Sequence, residues 1–438
     1  MSNQSLEKLI DEFWKLGASR ILCKRLAEND NNKQQIYLGH GFESLNLLPF
    51  GTVNTDSSKK SPIMKAALPL SWMNESGQVA PATGTQLILY PEYPEVRMSG
   101  FIRGCPTAPS EHLRPVPAPD RRFNNGPDGR LLFFAILSAR TVIAYLAPAG
   151  SAIAADFEAR AAVAPFTATG VFLEVPLPAI GNPRSLLLAK LREIHVSGWH
   201  PSSRLHADGS LHPYVARNGG GYTLEALFGI TPNGRAEPDF MGWELKAYGS
   251  DRVTLMTPEP DDGYYGREGV KAFVRRYGRV ADGDAMYFVG AHKAGVACSS
   301  TGHTLTIRGF DPVSAKITDV DGGIYLMAAD GETSAGWTFP RLLEHWGRKH
   351  ASAAYIPYIS RQTLPPAYQY NSPVLMGEGT SFTYFLKALA AGIVIYDPAP
   401  KISGVSTPNP KTKARSQFRI SKKGLRQLYD LFTEEPLS

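Results

Sequence analysis

Cysteine is scarce in this chain: Cys23, Cys105 and Cys298 are the three among 438 residues, far apart and with no C-x-x-C pair. That excludes a disulfide framework and a cysteine zinc site, and it favours a reducing cytoplasm. Long hydrophobic runs are also missing. The longest, around Leu131–Ala139 and Ala388–Tyr396, fall well short of the ~20 residues that cross a bilayer. The N-terminal MSNQSLEKLIDEFWKLG is charged and helix-like, with no apolar core of a signal peptide. A soluble protein of a prokaryotic cytoplasm, with no membrane association, is the expectation. Charge of one sign is not in great excess either. Lys and Arg number 46 against 40 Asp and Glu, a net of +6, which permits a polyanionic partner without establishing one.

Several nucleotide, hydrolase and metal signatures are absent as well. The triple glycine Gly219–Gly221 has no Gly-Lys-Ser/Thr after it, so there is no Walker phosphate loop. There is no G-x-S-x-G elbow and no HExxH. Asp319-Val-Asp-Gly-Gly323 lacks the third ligand of a calcium loop and has Asp330 where the closing Glu belongs, so it reads as a turn. His345 and His350 are five apart, on different faces of a helix, and make no zinc pair. No internal repeat is visible.

What is present is a chain too long for one core and ordinary in composition, 43% hydrophobic and 20% charged. Two domains are expected, 1–180 and 181–438. In the first, short apolar runs bounded by turn residues (Gln86–Tyr90, Leu131–Leu137, Thr141–Leu146, Gly170–Val175) predict strands after one helix. Pro106–Asp128 reads as loop, and Pro176–Arg184, with three prolines, as a stiff linker. In the second, helices at Ser185–Ile194, Thr223–Phe228, Arg341–His350 and Phe382–Ala391 alternate with strands at Trp243–Tyr248, Met286–Ala291 and Thr304–Arg308. That mixture predicts an α/β domain.

The chemistry-bearing stretch is Pro238-Asp-Phe-Met-Gly-Trp-Glu-Leu-Lys-Ala-Tyr248, with Asp239, Glu244 and Lys246 in the pattern PD-x4-E-x-K. Two residues apart on a strand, Glu244 and Lys246 face one way, while Trp243, Leu245 and Ala247 face the other and can bury. A turn through Gly242 can fold the Asp239 carboxylate back beside Glu244. Two adjacent carboxylates repel unless a hard divalent cation lies between them, and oxygen ligands with open water positions suit magnesium. A lysine there can orient the attacking water and offset charge on a phosphate.

With Leu224-Glu225 on the helix upstream, this stretch resembles the PD-(D/E)XK nucleases and, more narrowly, the MvaI/BcnI restriction endonuclease family. Thr254-Leu-Met-Thr-Pro-Glu-Pro260 and Gln417-Phe-Arg-Ile420 add to the likeness, which spans roughly 185 to 438. The resemblance implies a restriction-endonuclease-like α/β fold of the MutH/MvaI type. It also implies Asp239 and Glu244 as metal ligands with the Leu245 carbonyl as a third, Lys246 at the nucleophilic water, and Glu225 as a supporting carboxylate. Mg2+ would be the cofactor, and hydrolysis would leave a 5′-phosphate and a 3′-hydroxyl. Residues 401–427 hold eight Lys or Arg and no Asp or Glu, a run suited to phosphates. Arg415 and Arg419 are the candidate base readers; Asp397, before Pro398, reads as a turn former.

The first 180 residues need their own account. Ile21-Leu-Cys-Lys-Arg-Leu26 through Asp30 to Leu38 resembles the start of the EcoRII effector domain, a mainly β DNA-binding pseudobarrel. Two arms of such a domain clamp the major groove, which places Lys24, Arg25, Lys33 and Tyr37 on one arm and Arg97 and Arg103 on the other. Together the two resemblances imply a type II enzyme acting at CC(A/T)GG on double-stranded DNA. It would work as a monomer nicking each strand in turn, without an obligate protein partner, while the N-terminal domain binds a second copy of the site. The alternatives are a repair nickase resembling MutH, a DNA-binding regulator without cleavage, and, for the first half, a structural brace.

Overall fold

The computed structural model describes residues 5–31, 34–58, 61–115, 117–120, 126–137, 139–177, 183–216, 218–232, 238–281 and 283–437. The chain forms two compact units that divide between Ala189 and Lys190, inside the helix Pro183–Val196. Residues 178–182 of the expected linker lie outside the described residues.

The N-terminal unit is mostly β. Its opening helix Leu6–Lys15 starts where Ser5 accepts a hydrogen bond from Lys8 N (3.3 Å). Leu6, Leu9, Ile10 and Phe13, spaced by three and four, bury one face of that helix. They join a core with Ile21, Cys23, Phe133, Tyr145 and Phe157. A seven-stranded sheet runs in the order Thr167–Thr169, Phe172–Val175, Ala18–Ala27, Pro127–Leu137, Val142–Ala147, Leu70–Met73, Val79–Pro81. A second, five-stranded sheet runs Gln35–His40, Glu95–Ser99, Gln86–Tyr90, Ile63–Ala67, Val53–Asp56. The helix Ala152–Val163, capped by Ser151, was not expected. Its alanine-rich sequence carries little amphipathic contrast, and tertiary packing of Ile153, Ala154 and Phe157 holds it in place. The expected loop Pro106–Asp128 contains a single helical turn, Ser110–Leu113, and a short 3-10 turn, Ala118–Asp120, and its end already belongs to the strand from Pro127.

The C-terminal unit is built on the strand Ser352–Arg361. Its first half pairs in parallel with Trp243–Tyr248 and antiparallel with Val374–Glu378, and its second half pairs with Ala367–Tyr370. Trp199–Pro201 and Leu431–Glu435 extend the sheet on either side. The helices Gly219–Leu227, Gly263–Tyr277, Phe339–Lys349 and Phe382–Ala390 complete an α/β arrangement. Trp243–Tyr248 and Thr304–Arg308 take the bounds read from sequence, whereas Met286–Ala291 is strand only at its start, within Ala285–Tyr287. Beyond Tyr287 the ladder ends: Phe288 N donates to Pro400 O, and His292 N to Tyr396 O at the end of the strand Val394–Tyr396. No helix among the described residues is long and apolar enough to cross a membrane.

Candidate active site

The strand Trp243–Tyr248 is entered through a two-residue turn. Phe240 and Trp243 exchange backbone hydrogen bonds of 2.9 and 2.8 Å around Met241 and Gly242. Both turn residues have positive φ, +45° and +88°, the type I′ geometry that matches strand twist and that glycine adopts without strain. The reversal lays Asp239 alongside the strand it precedes, and Asp239 Oδ2 accepts from Leu245 N at 2.8 Å. The carboxylate is therefore folded back onto the strand, at the Leu245 amide. Among the described residues the strand pairs only with Ser352–Pro357. Because the N–H and C=O of one strand residue leave on the same side, the Leu245 carbonyl faces the same edge as Asp239.

Glu244 is 4% exposed, and Lys246 Nζ donates to its Oε1 at 3.1 Å. Trp243 and Leu245 are buried on the opposite face. Both faces are thus covered, where the alternation led us to expect one. The cover over the charged face comes from distant sequence. Tyr355 stands beside Lys246 in the parallel register, and its hydroxyl lies 2.7 Å from that of Tyr429. Burial pushes the phenols of both Tyr355 and Tyr429 up, and the negative charge of Glu244 adds to the effect on each. This tyrosine pair was not anticipated; the signal was a lone polar-tipped residue in the apolar run Ala353-Ala-Tyr-Ile356.

Glu225 sits half-buried on the helix Gly219–Leu227, which packs against the Trp243–Tyr248 strand. The close seat of that helix explains two of its three glycines. A Cβ on Gly219 would lie 2.5 Å from the Tyr368 hydroxyl, and one on Gly220 would lie 2.7 Å from the Tyr358 ring. Among the described residues no three His, Cys, Asp or Glu side chains gather as a metal cluster. Asp239, Glu244 and the Leu245 carbonyl are hard oxygen donors on or held against one strand, and Lys246 is paired with Glu244. That donor set fits magnesium, which retains several waters and takes only one or two carboxylates from a protein.

The candidate DNA contacts fall into different surroundings. Lys24 is 5% exposed and its ammonium donates to Asp30 (2.8 Å), whose carboxylate also accepts from Ala27 N and Tyr37 N. This corrects the expectation that Lys24 is presented to DNA: its buried charge is paired inside the unit. Arg25 makes a two-pronged pair with Glu158, both contacts 2.8 Å. Tyr37 and Arg97 are cross-strand neighbours, and Arg97 pairs with Glu95 at 2.7 Å. Arg103 is exposed, and Lys33 lies outside the described residues. Arg415 is exposed, whereas Arg419 donates to Asp397 at 2.8 Å, a carboxylate that also faces Arg252 at 3.5 Å. The Asp397 side chain, read as a turn former, is an ion-pair partner.

Residues 188–429, more than half of the chain, match the model of the "MvaI/BcnI restriction endonuclease family". No curated protein matches the chain. Among solved structures, a restriction endonuclease MvaI–cognate DNA substrate complex aligns with 18% identity and a TM-score of 0.45, over 58% of this chain and 99% of that one. MvaI in the absence of DNA aligns with 15% identity and a TM-score of 0.31, over 59% and 99%. The B3 domain of the UbaLAI restriction endonuclease with cognate DNA aligns with 18% identity and a TM-score of 0.23, over 39% and 95%.

Proposed function

This chain belongs to the MvaI/BcnI restriction endonuclease family, and from that premise we propose that it is a type II, magnesium-dependent enzyme with Asp239, Glu244 and Lys246 as its catalytic set. The family assigns a sequence-specific DNA endonuclease, a DNA hydrolase, with a restriction-endonuclease-like C-terminal region; the N-terminal region, outside the family match, is mostly β. The observation that carries the site is the Asp239 carboxylate held at Leu245 N, one residue from a buried Glu244 paired with Lys246. A charge pair that is costly to bury is rarely kept for stability alone, and its place at an open strand edge supports a chemical role.

In this reading Asp239, Glu244 and the Leu245 carbonyl hold the metal. Bound there, Mg2+ would polarise the scissile phosphate and lower the pKa of a bound water. Lys246 orients the attacking water and stabilises charge developing on the phosphate, and the tight turn at Met241-Gly242 fixes where Asp239 points. Glu225 supports the site from the adjacent helix. Arg415 and the exposed lysines of residues 401–427 contact DNA phosphates. Arg419 reaches a base only by exchanging Asp397 for it, or reads bases together with Asp397.

The N-terminal residues 1–180 are proposed as an EcoRII-like effector pseudobarrel that binds a second duplex through Arg25, Tyr37, Arg97 and Arg103. The target proposed is CC(A/T)GG, cut by a monomer one strand at a time; the sequence resemblance supports both points. Incubation with Mg2+ and a plasmid carrying one such site tests the reading. Discrete linear product with ends mapping to CC(A/T)GG is expected, faster when a CC(A/T)GG duplex is added in trans. Asp239→Ala should lower the cleavage rate by a factor on the order of 10³ or more while DNA binding in Ca2+ persists. Nicks alone would favour the MutH-like nickase, and binding without cutting would favour the regulator.

A further inference from the structure

One element of the C-terminal unit has no part in the site described above. The strands Ser203–Leu205 and Leu211–Pro213 form a hairpin in which Arg204 faces His212 and Leu205 faces Leu211. Its turn closes with His206 N donating to Ser210 O (2.9 Å) and Gly209 N to His206 O (3.0 Å). Residues opposite one another share a face, and every second residue returns to it. Arg204, His206, Ser210 and His212 therefore line one side. The two imidazole rings are 4.4 Å apart, and residues 206–209 and 211–213 are exposed.

The acid in this group is already engaged. Asp208 accepts from both Ser210 N and Ser210 Oγ, which holds its carboxyl below the usual range. With its one proton directed to Asp208, Ser210 Oγ can only accept from His212 Nε2, 2.9 Å away, so that ring nitrogen is a donor. The face is left rich in donors: a permanent guanidinium and two imidazoles. The base of the hairpin is pinned to the helix that carries Glu225. Ser203 N donates to Thr223 Oγ1 (3.0 Å), and the Arg204 guanidinium lies 4.8 Å from the Tyr222 ring centre.

We infer that the hairpin 203–213 is an arm that grips the sugar-phosphate backbone of the DNA substrate, with Arg204, His206 and His212 donating to phosphate oxygens. The inference rests on the nuclease reading and extends it to a surface that reading does not use. Its attachment through Thr223 and Tyr222 ties the grip to the catalytic helix, so the arm registers the duplex without touching the reacting atoms. Backbone contacts of this kind add affinity regardless of sequence and release counterions.

The test uses the full chain carrying Arg204→Gln, His206→Gln and His212→Gln together, and separately His206→Glu. Binding to a CC(A/T)GG duplex and to a scrambled duplex is followed by fluorescence anisotropy in Ca2+ at several salt concentrations. The triple variant should bind both duplexes about 10-fold more weakly, with the slope of log affinity on log salt reduced by about 1. The charge-reversal variant should bind both duplexes more weakly than the wild type. Affinity and slope equal to the wild type in both variants overturn the arm while leaving the nuclease reading intact. A loss confined to one sequence overturns it in favour of base reading. Wild-type protein that neither binds nor cuts either duplex overturns both.

Discussion

Two stretches of the C-terminal unit carry charge in opposite ways. On the strand Trp243–Tyr248, Glu244 and Lys246 are withdrawn from solvent and paired with each other. On the hairpin of Lys401–Ser403 and Lys411–Lys413, Lys411 and Lys413 are exposed, and among the described residues no carboxylate pairs with either. Lys413 even stands directly opposite Lys401, and the Tyr287 ring, its centre 5.6 Å from Lys401 Nζ, offers partial compensation. Removing a charge from water costs several kcal/mol per ion, so it persists where position matters more than stability. Leaving like charges exposed and adjacent costs a few tenths, and a polyanion then relieves the repulsion. The first arrangement suits chemistry at one phosphate and the second suits affinity for many.

The largest effect that would break this contrast comes from Lys246→Met. It leaves the Glu244 carboxylate buried without its cation and should destabilise the C-terminal unit by about 3–5 kcal/mol, read from urea unfolding. Adding Glu244→Gln should recover much of that loss. An additive double variant would mean that the two groups do not hold each other. A second test concerns a buried group that must stay uncharged. Burial pushes His292 down to about 4, and burial also holds the adjacent His303 low. The unfolded chain, with histidine near 6.5, then binds the proton more readily than the folded one. The contribution is present above pH ~6.5 and is lost as pH falls towards 4, worth about 3 kcal/mol from His292. Trp337 lies beside Tyr396, which neighbours His292, so tryptophan fluorescence in urea at stepped pH should follow the loss. His292→Gln should flatten the dependence. The smallest effect is expected from Lys413→Gln, which removes the cross-strand repulsion. Stability should rise by a few tenths of a kcal/mol while the salt slope of DNA binding falls by about 1. A fall in stability would show that the hairpin lysines are not in conflict.

The sequence revealed what local pattern controls. The alternation in Trp243–Tyr248 and the turn at Gly242 could both be read because they lie within ten residues of one another, beside the candidates Asp239, Glu244 and Lys246. The burial of Glu244 could not, because its cover, Tyr355 and Tyr429, arrives from more than a hundred residues downstream. Lys24 read as a surface cation, but its side chain closes on Asp30, and only the strand geometry brings the two together. Arg419 was chosen for its basic neighbourhood. Its ion pair with Asp397 arises because their two strands lie side by side, with Tyr396 opposite Phe418. The hairpin at 203–213 left no signal in the sequence, since its short strands hold too few apolar residues to show a period.

The bond from Leu245 N to Asp239 has a consequence outside catalysis. A strand with one open side exposes amides that a strand from another chain can use to add itself to the sheet, which is how soluble proteins begin to aggregate. Here the outward amide at the middle of that side is already occupied by a carboxylate of the same chain. A foreign strand would have to displace that carboxylate and meet its negative charge, so the contact that fixes Asp239 also guards this edge against association.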